Sequence, residues 1–197
     1  IFNRQICNLT EGNEKALGGI VCVWNDRTVA NEDDVMKMNP VYPGMLAFAE
    51  RSWRGSGYAG WTATIGEPES ERAIAFAEFE NRLLDQKQQY FKGLNFTYVK
   101  QTDLVWDIYG PFENKGDLTK IFGPEKPKFN ASKEKPKYKA TGGTLVMRHW
   151  WAPLISGIIE QPQENTTWYA QTQIWSDEDK QQEFWIGFNN LSRSMST

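Results

Sequence analysis

One histidine and two cysteines in 197 residues leave little from which to build the common catalytic or metal centres. His149 stands in Arg148-His149-Trp150-Trp151, and a lone imidazole excludes a multi-histidine metal site and makes a Ser-His-Asp triad hard to assemble. Among aromatic neighbours it reads as a packed or hydrogen-bonded structural side chain. A phosphate-cradling Gly-rich loop is missing too, because Gly142-Gly143 reads as the opening of a strand rather than of a helix. Positive charge is not in excess: 22 Lys+Arg against 25 Asp+Glu leave a net charge of -3, so nucleic acid is not an expected partner. No apolar run approaches the roughly 20 residues that a bilayer requires, and no membrane span is expected. The first residues offer neither a start methionine nor a basic segment ahead of an apolar stretch, which suggests a piece of a longer soluble chain. No cofactor and no metal are expected.

What is present is an ordinary globular composition, 40% hydrophobic and 24% charged, in a length that allows one domain or two small ones. Aromatic side chains are its emphasis: 9 Trp, 7 Tyr and 11 Phe suit β-sheet cores, sugar-stacking surfaces, or both. Cys7 and Cys22 could bridge, but Cys22 lies in the apolar run Gly19-Ile20-Val21-Cys22-Val23-Trp24, where a buried free thiol is the preferred reading. Five Asn-x-Ser/Thr sequons, at Asn8, Asn95, Asn130, Asn165 and Asn190, point toward an exported protein.

Residues 18 to 24 read as a strand buried on both faces, the kind that belongs to parallel sheets covered by helices. Pro40 and Pro43 then precede Met45, Leu46, Phe48, Ala49, Ser52 and Trp53, spaced for one helical face that stops near Gly55. A second helix is expected from about Pro68, with Glu69 and Glu71 at its positive end, a stripe of Phe76, Phe79, Leu83 and Tyr90, and Lys92-Gly93 at its close. Beyond residue 93 the period shortens to two: 94 to 99, 104 to 109, 144 to 150, 167 to 176 and 184 to 188 read as strands of a β-sandwich. The Lys- and Pro-rich stretch 124 to 141 reads as a solvated loop. The fold class is therefore α+β, with an α/β remnant over residues 1–93 and a sandwich, possibly incomplete, over 94–197.

Few residues offer chemistry. The acidic runs Glu32-Asp33-Asp34 and Asp177-Glu178-Asp179 sit in polar turns and read as solvated. Trp24-Asn25-Asp26 differs, since an indole and a carboxylate two residues apart follow an apolar strand as it runs out into a loop. An indole offers an apolar face to pyranose C–H groups, and a carboxylate takes paired hydrogen bonds from neighbouring hydroxyls. The plainer alternative is a core Trp beside a loop-capping Asp.

The longer string Gly18-Gly19-Ile20-Val21-Cys22-Val23-Trp24-Asn25-Asp26, followed by Asn39-Pro40 and Tyr42-Pro43-Gly44-Met45-Leu46-Ala47-Phe48-Ala49-Glu50-Arg51-Ser52-Trp53, resembles the last barrel strand and helix of family 20 glycoside hydrolases, the β-N-acetylhexosaminidases. In that family a Gly-rich strand ends in Trp-x-Glu. The resemblance implies a (β/α)8 barrel of which this chain holds the last strand and two helices. It implies that Trp24 walls the pocket of the terminal sugar and that Asp26 holds its outer hydroxyls. Asp26 is one methylene shorter than the family's usual Glu, which alters pocket depth. It also implies a substrate-assisted retaining mechanism, in which an Asp orients the substrate's acetamido group and an adjacent Glu protonates the leaving oxygen. Nothing here matches the His-x-Gly-Gly-Asp-Glu context of that pair, so no catalytic residue is expected in this chain, and the upstream barrel of the same protein is an expected partner. Trp106-Asp107-Ile108-Tyr109-Gly110-Pro111-Phe112-Glu113-Asn114 and the strand from Thr167 to Ser176 look like the galactose-binding-like modules appended to many exo-glycosidases. The alternative from another class is a non-catalytic carbohydrate-binding or structural accessory module.

Overall fold

The computed structural model describes residues 1–22, 31, 41–93, 98–184 and 186–187. Among the described residues it is a mixed α+β structure with two α-helices, α1 (Val41–Arg54) and α2 (Glu71–Gln89), and five strands, β1 (Trp61–Thr62), β2 (Val105–Glu113), β3 (Tyr138–Thr141), β4 (Ile155–Ser156) and β5 (Thr166–Thr172). β2 is the centre of a three-stranded antiparallel sheet in the order β3-β2-β5. β1 and β4 form a two-residue parallel pair, Trp61 opposite Ile155 and Thr62 opposite Ser156. That pairing, with the Thr141 N–H donating to the Gly66 carbonyl at 3.1 Å, carries backbone hydrogen bonds across the boundary expected near residue 93.

Both expected helices are present. α1 closes with Arg51 and Arg54 in its last turn, where cations meet the negative helix end. It stops at Gly55, whose φ of +63° a side chain would strain and whose added Cβ would lie 2.5 Å from the Thr10 carbonyl oxygen. α2 starts later than the sequence suggested. Ser70 is its cap, its hydroxyl accepting from the Ala73 N–H at 3.3 Å, while Pro68 and Glu69 lie ahead of the helix.

The two helices and the N-terminal segment share one core of Phe2, Ala47, Phe79 and Leu83, with Leu46, Ala75, Phe76 and Tyr98 packed against it. Phe2 stacks on Phe79 with centroids 4.7 Å apart and meets Phe76 edge-on at 5.5 Å. Arg51 fastens this segment: its Nε donates to the Phe2 carbonyl at 2.8 Å and its guanidinium lies 4.6 Å from the Phe2 ring centre. Glu50 ties the helices together, accepting from Arg82 of α2 at 2.5 Å and from Arg54 at 3.1 Å. Burial works against the charge of Glu50, yet the hydrogen bonds from Arg82 and Arg54 outweigh it and hold its pKa below the ordinary carboxylate value.

Glu80 is the polar centre of this half and is fully buried. One carboxylate oxygen accepts from the Tyr98 hydroxyl at 2.7 Å and the Gln101 N–H at 2.5 Å; the other accepts from the Thr102 N–H at 3.0 Å and its hydroxyl at 2.5 Å. α2 therefore holds the segment that leads into β2. Gln101 passes the connection on, accepting at its side-chain oxygen from the Gly143 N–H at 2.7 Å, just past the end of β3.

Several expectations need correction. Trp53, placed on the packing face of α1, is 92% exposed, and Met45 is also exposed; of that face Leu46 packs against the core as expected, and Ala47, which was not assigned to it, is buried there. Tyr90, the last member of the α2 stripe, is its exposed C-cap. Residues 144 to 150 are not a strand: the Ala152 N–H returns to the His149 carbonyl at 2.9 Å, so the chain turns before Pro153 and leaves Trp150 and Trp151 stacked at 4.6 Å. Gly142-Gly143 follows β3 rather than opening a strand. Conversely, Tyr138–Thr141, assigned to a solvated loop, pairs with β2, and Lys139 lies opposite Asp107 with its ammonium 3.0 Å from the carboxylate. Residues 184, 186 and 187 are not in a strand, and 98–99 are not either; 94–97 and Phe188 lie outside the described residues.

The sheet is shaped by a bulge in β2 between Tyr109 and Phe112. Gly110 there has φ +136°, and an added Cβ would lie 2.8 Å from the Trp168 ring. Gly110→Ala is expected to cost about 1–3 kcal/mol through backbone strain and displacement of that ring. A shift of the urea midpoint measures it; an unchanged midpoint would show that Trp168 yields freely.

Candidate functional site

Trp24 and Asp26, the two expected substrate-binding residues, lie outside the described residues, as do Val23, Asn25 and the acidic run at 32–34. The segment leading to them is described as far as Cys22. It is not a strand over 18–22 and not buried: Ile20 is 88% exposed, and Leu17 and Cys22 are exposed as well. Two interactions fix its start. The Cys7 thiol reaches the Gly18 carbonyl at 3.5 Å, and Gly19 lies so close to the Phe48 ring of α1 that an added Cβ would sit at 3.2 Å. Cys7 and Cys22 are both free and exposed, so the thiol reading holds for Cys22 while its burial does not.

The sheet provides a second constellation, which sequence reasoning missed. Residues 117 to 137 cross the face of the sheet that carries Tyr109 and Tyr169, held by two aromatic anchors. Phe129 meets Tyr109 edge-on at 5.2 Å, and Phe122 lies 5.2 Å from Phe112, which in turn meets Tyr169 at 5.6 Å. Tyr169 also donates its hydroxyl to the Glu125 carboxylate. The lysines of this stretch, Lys126, Lys128, Lys133, Lys135 and Lys137, are exposed as expected of a solvated loop. Its apolar residues are what make it a cover. An isolated Phe129 in a run of Lys and Pro was the available signal, since a large apolar ring in such a loop needs an anchor site.

Between this cover and β2 lies a cleft of about 860 Å³. Its walls are Tyr109, Gly110, Pro111 and Phe112 from β2, Gly123, Pro124 and Phe129 from the cover, and Glu134 through Tyr138 leading into β3, with Glu67 from beyond the sheet. Tyr138, opposite Ile108 in the register, stacks on Trp168 with ring centroids 5.8 Å apart, and both side chains belong to the face of the sheet opposite to the one that carries Tyr109. Tyr109 is 5% exposed, and its hydroxyl has no hydrogen-bond partner among the described residues. Burial pushes its pKa up, nearby Asp107 pushes it further, and Lys139 partly offsets the rise, so the phenol is neutral and able both to donate and to accept.

No group of three or more His, Cys, Asp and Glu side chains that could hold a metal occurs among the described residues. None of the described helices is long and apolar enough to cross a membrane. His149 is half-buried, and its Nδ1 accepts from the Trp151 N–H at 3.1 Å, in agreement with a structural role. Comparison with protein-family models, with curated proteins and with solved structures finds no match.

Proposed function

We propose that the chain is the C-terminal part of an exo-acting β-N-acetylhexosaminidase of the family 20 type, a glycoside hydrolase that removes terminal N-acetyl-hexosamine residues by a substrate-assisted retaining mechanism. The general acid Glu and the acetamido-orienting Asp belong to the upstream barrel, Trp24 and Asp26 line the sugar pocket, and the sheet belongs to a galactose-binding-like sandwich that braces the barrel. The observation that carries this reading is the string from Gly18 to Asp26 and from Tyr42 to Trp53, whose second half is helical over Val41–Arg54. Exposed apolar side chains along the same stretch support it: Leu17, Ile20, Met45 and Trp53 offer a surface that a neighbouring barrel strand and helix would cover. Export is part of the proposal, and the sequon residues Asn8, Asn130 and Asn165 are exposed.

The test is a panel of p-nitrophenyl glycosides. The full-length protein is expected to hydrolyse the N-acetyl-β-glucosaminide or N-acetyl-β-galactosaminide, and the 197-residue chain alone to hydrolyse neither, since it lacks the acid and the orienting Asp. A full-length protein inactive on both substrates, or turnover by the chain alone above a mock-purified control, overturns the reading.

A further inference from the structure

We propose that the outer face of residues 126–137 is a docking surface for a linear polyanionic polysaccharide, one that carries sulfate or carboxylate groups along its length. The choice of a polysaccharide rests on the glycan substrate proposed above; the surface itself rests on charge, display and order. Lys126, Lys128, Lys133, Lys135 and Lys137 are all exposed, and Glu134 is the one acid in this stretch, so it carries +4 in a chain whose net charge is -3. The other residues therefore sum to -7, and the positive charge is concentrated on one strap. Among the described residues none of these five ammonium groups has a carboxylate within ion-pair distance. Two acids close to the strap are engaged elsewhere, Asp107 with Lys139 and Glu125 with the Tyr169 hydroxyl. Display comes from two Lys-Pro-Lys units, 126–128 and 135–137. Proline fixes its own φ and drives the residue before it to extended backbone, as Lys126 shows with φ -87° and ψ 141°. The lysines of each unit are then held about 6–7 Å apart along the chain, a row of point charges that suits a line of anionic groups rather than one small ion. Order comes from beneath: Phe122 and Phe129 sit on Phe112 and Tyr109 at 5.2 Å each, and the Lys137 N–H donates to the Ile108 carbonyl at 2.7 Å. Binding therefore does not have to order a free loop. The inward turn of these rings argues against other polyanions. Phe129 is the only aromatic ring of residues 126–137 and faces the sheet, so none is offered to stack bases or enter a bilayer, and a nucleic-acid duplex would meet the -7 of the other residues.

Biolayer interferometry of the full-length protein on immobilised chondroitin sulfate, hyaluronate and dextran tests this. At about 50 mM salt, where screening is weak, the expected result is binding to chondroitin sulfate and none to dextran, with Kd rising at least roughly fivefold at about 150 mM. Hyaluronate carries carboxylates alone, so its binding would show that carboxylate suffices and its failure would assign recognition to sulfate; either result supports the surface. Lys133→Ala, Lys135→Ala and Lys137→Ala combined should weaken binding at least about tenfold, whereas Lys133→Arg, Lys135→Arg and Lys137→Arg combined should keep it within about twofold. The arginine variant separates charge from folding. Lys15→Ala with Lys180→Ala, at two exposed lysines outside the strap, should leave binding unchanged. Hydrolysis of the p-nitrophenyl glycosides should be the same in all these variants, so polyanion binding by a protein inactive on the panel would support the strap while overturning the hexosaminidase reading. Binding to neither acidic polysaccharide, binding insensitive to salt, or an alanine variant that binds as the parent does overturns the proposal. So does tighter binding to vesicles of about one-third phosphatidylglycerol than to chondroitin sulfate, which would make the surface a membrane contact.

Discussion

Glu80→Ala is expected to lower the free energy of unfolding by about 3–5 kcal/mol, among the largest effects of any single truncation in the described part of the chain. The reason is the number of groups that depend on one buried carboxylate. Four donors, the Tyr98 hydroxyl, the Gln101 and Thr102 N–H groups and the Thr102 hydroxyl, converge on its two oxygens. A charge-assisted hydrogen bond contributes about 1.5–3 kcal/mol, and a buried donor left without an acceptor costs about 1–3 kcal/mol, so even partial rescue by entering water leaves a large deficit. Glu80→Gln should be only partly conservative, because its amide presents two hydrogens to a site furnished entirely with donors. Tyr98→Phe, which deletes one of the four bonds, should cost about 1 kcal/mol. Urea denaturation of the three variants checks the order Glu80→Ala, Glu80→Gln, Tyr98→Phe. A loss below about 1 kcal/mol for Glu80→Ala would mean that the 98–102 segment is not held to α2 in solution.

Glu80 also shows where sequence reasoning works and where it stops. The stripe Phe76, Phe79 and Leu83 was legible because apolar residues recur at helical spacing, and all three do pack in or against the core. Glu80 sits within that same stripe, four residues after Phe76 and three before Leu83. A carboxylate at a core-facing position is a signal that something donates to it, but the donors lie about 20 residues further on and no local pattern names them. The same limit explains β3. Tyr138, Lys139 and Ala140 alternate correctly for a strand, yet the lysine spacing of the preceding loop conceals the change of period, and only Asp107 on the central strand gives Lys139 its partner. Residues 144 to 150 failed the other way. Their aromatic content favours a strand, but Pro153 and the return of the Ala152 N–H to His149 impose a turn. The aromatic cleft was not legible because its walls come from four separated stretches, around Glu67, Tyr109, Phe129 and Tyr138, which meet only once the sheet has formed.

In the full-length protein, Trp24→Ala is expected to lower kcat/KM for the p-nitrophenyl N-acetyl-hexosaminide that it hydrolyses by roughly ten- to a thousandfold, about 1.4–4 kcal/mol of transition-state stabilisation. The effect follows from the proposed role of the indole as one wall of the terminal-sugar pocket. Removing it opens the reacting sugar to water and deletes the apolar surface that fixes the ring against the acid and the orienting Asp. Less than a threefold change would place Trp24 in the core or facing away from the substrate. Asp26→Asn separates recognition from folding more cleanly, because it is nearly isosteric and exchanges a charged double acceptor for an amide with one acceptor. If Asp26 holds the outer hydroxyls of the sugar, the variant shifts the ratio of glucosamine- to galactosamine-configured activity, the two substrates differing in the orientation of one such hydroxyl. An unchanged ratio together with an unchanged rate would remove Asp26 from the pocket. The exposure of Ile20 and the position of Gly19 against Phe48 give this pair of variants a structural control. Ile20→Ala, at a surface that the proposed barrel covers, should lower the stability of the full-length protein by about 2–4 kcal/mol while leaving the substrate ratio untouched, since it removes buried packing and no contact to the sugar.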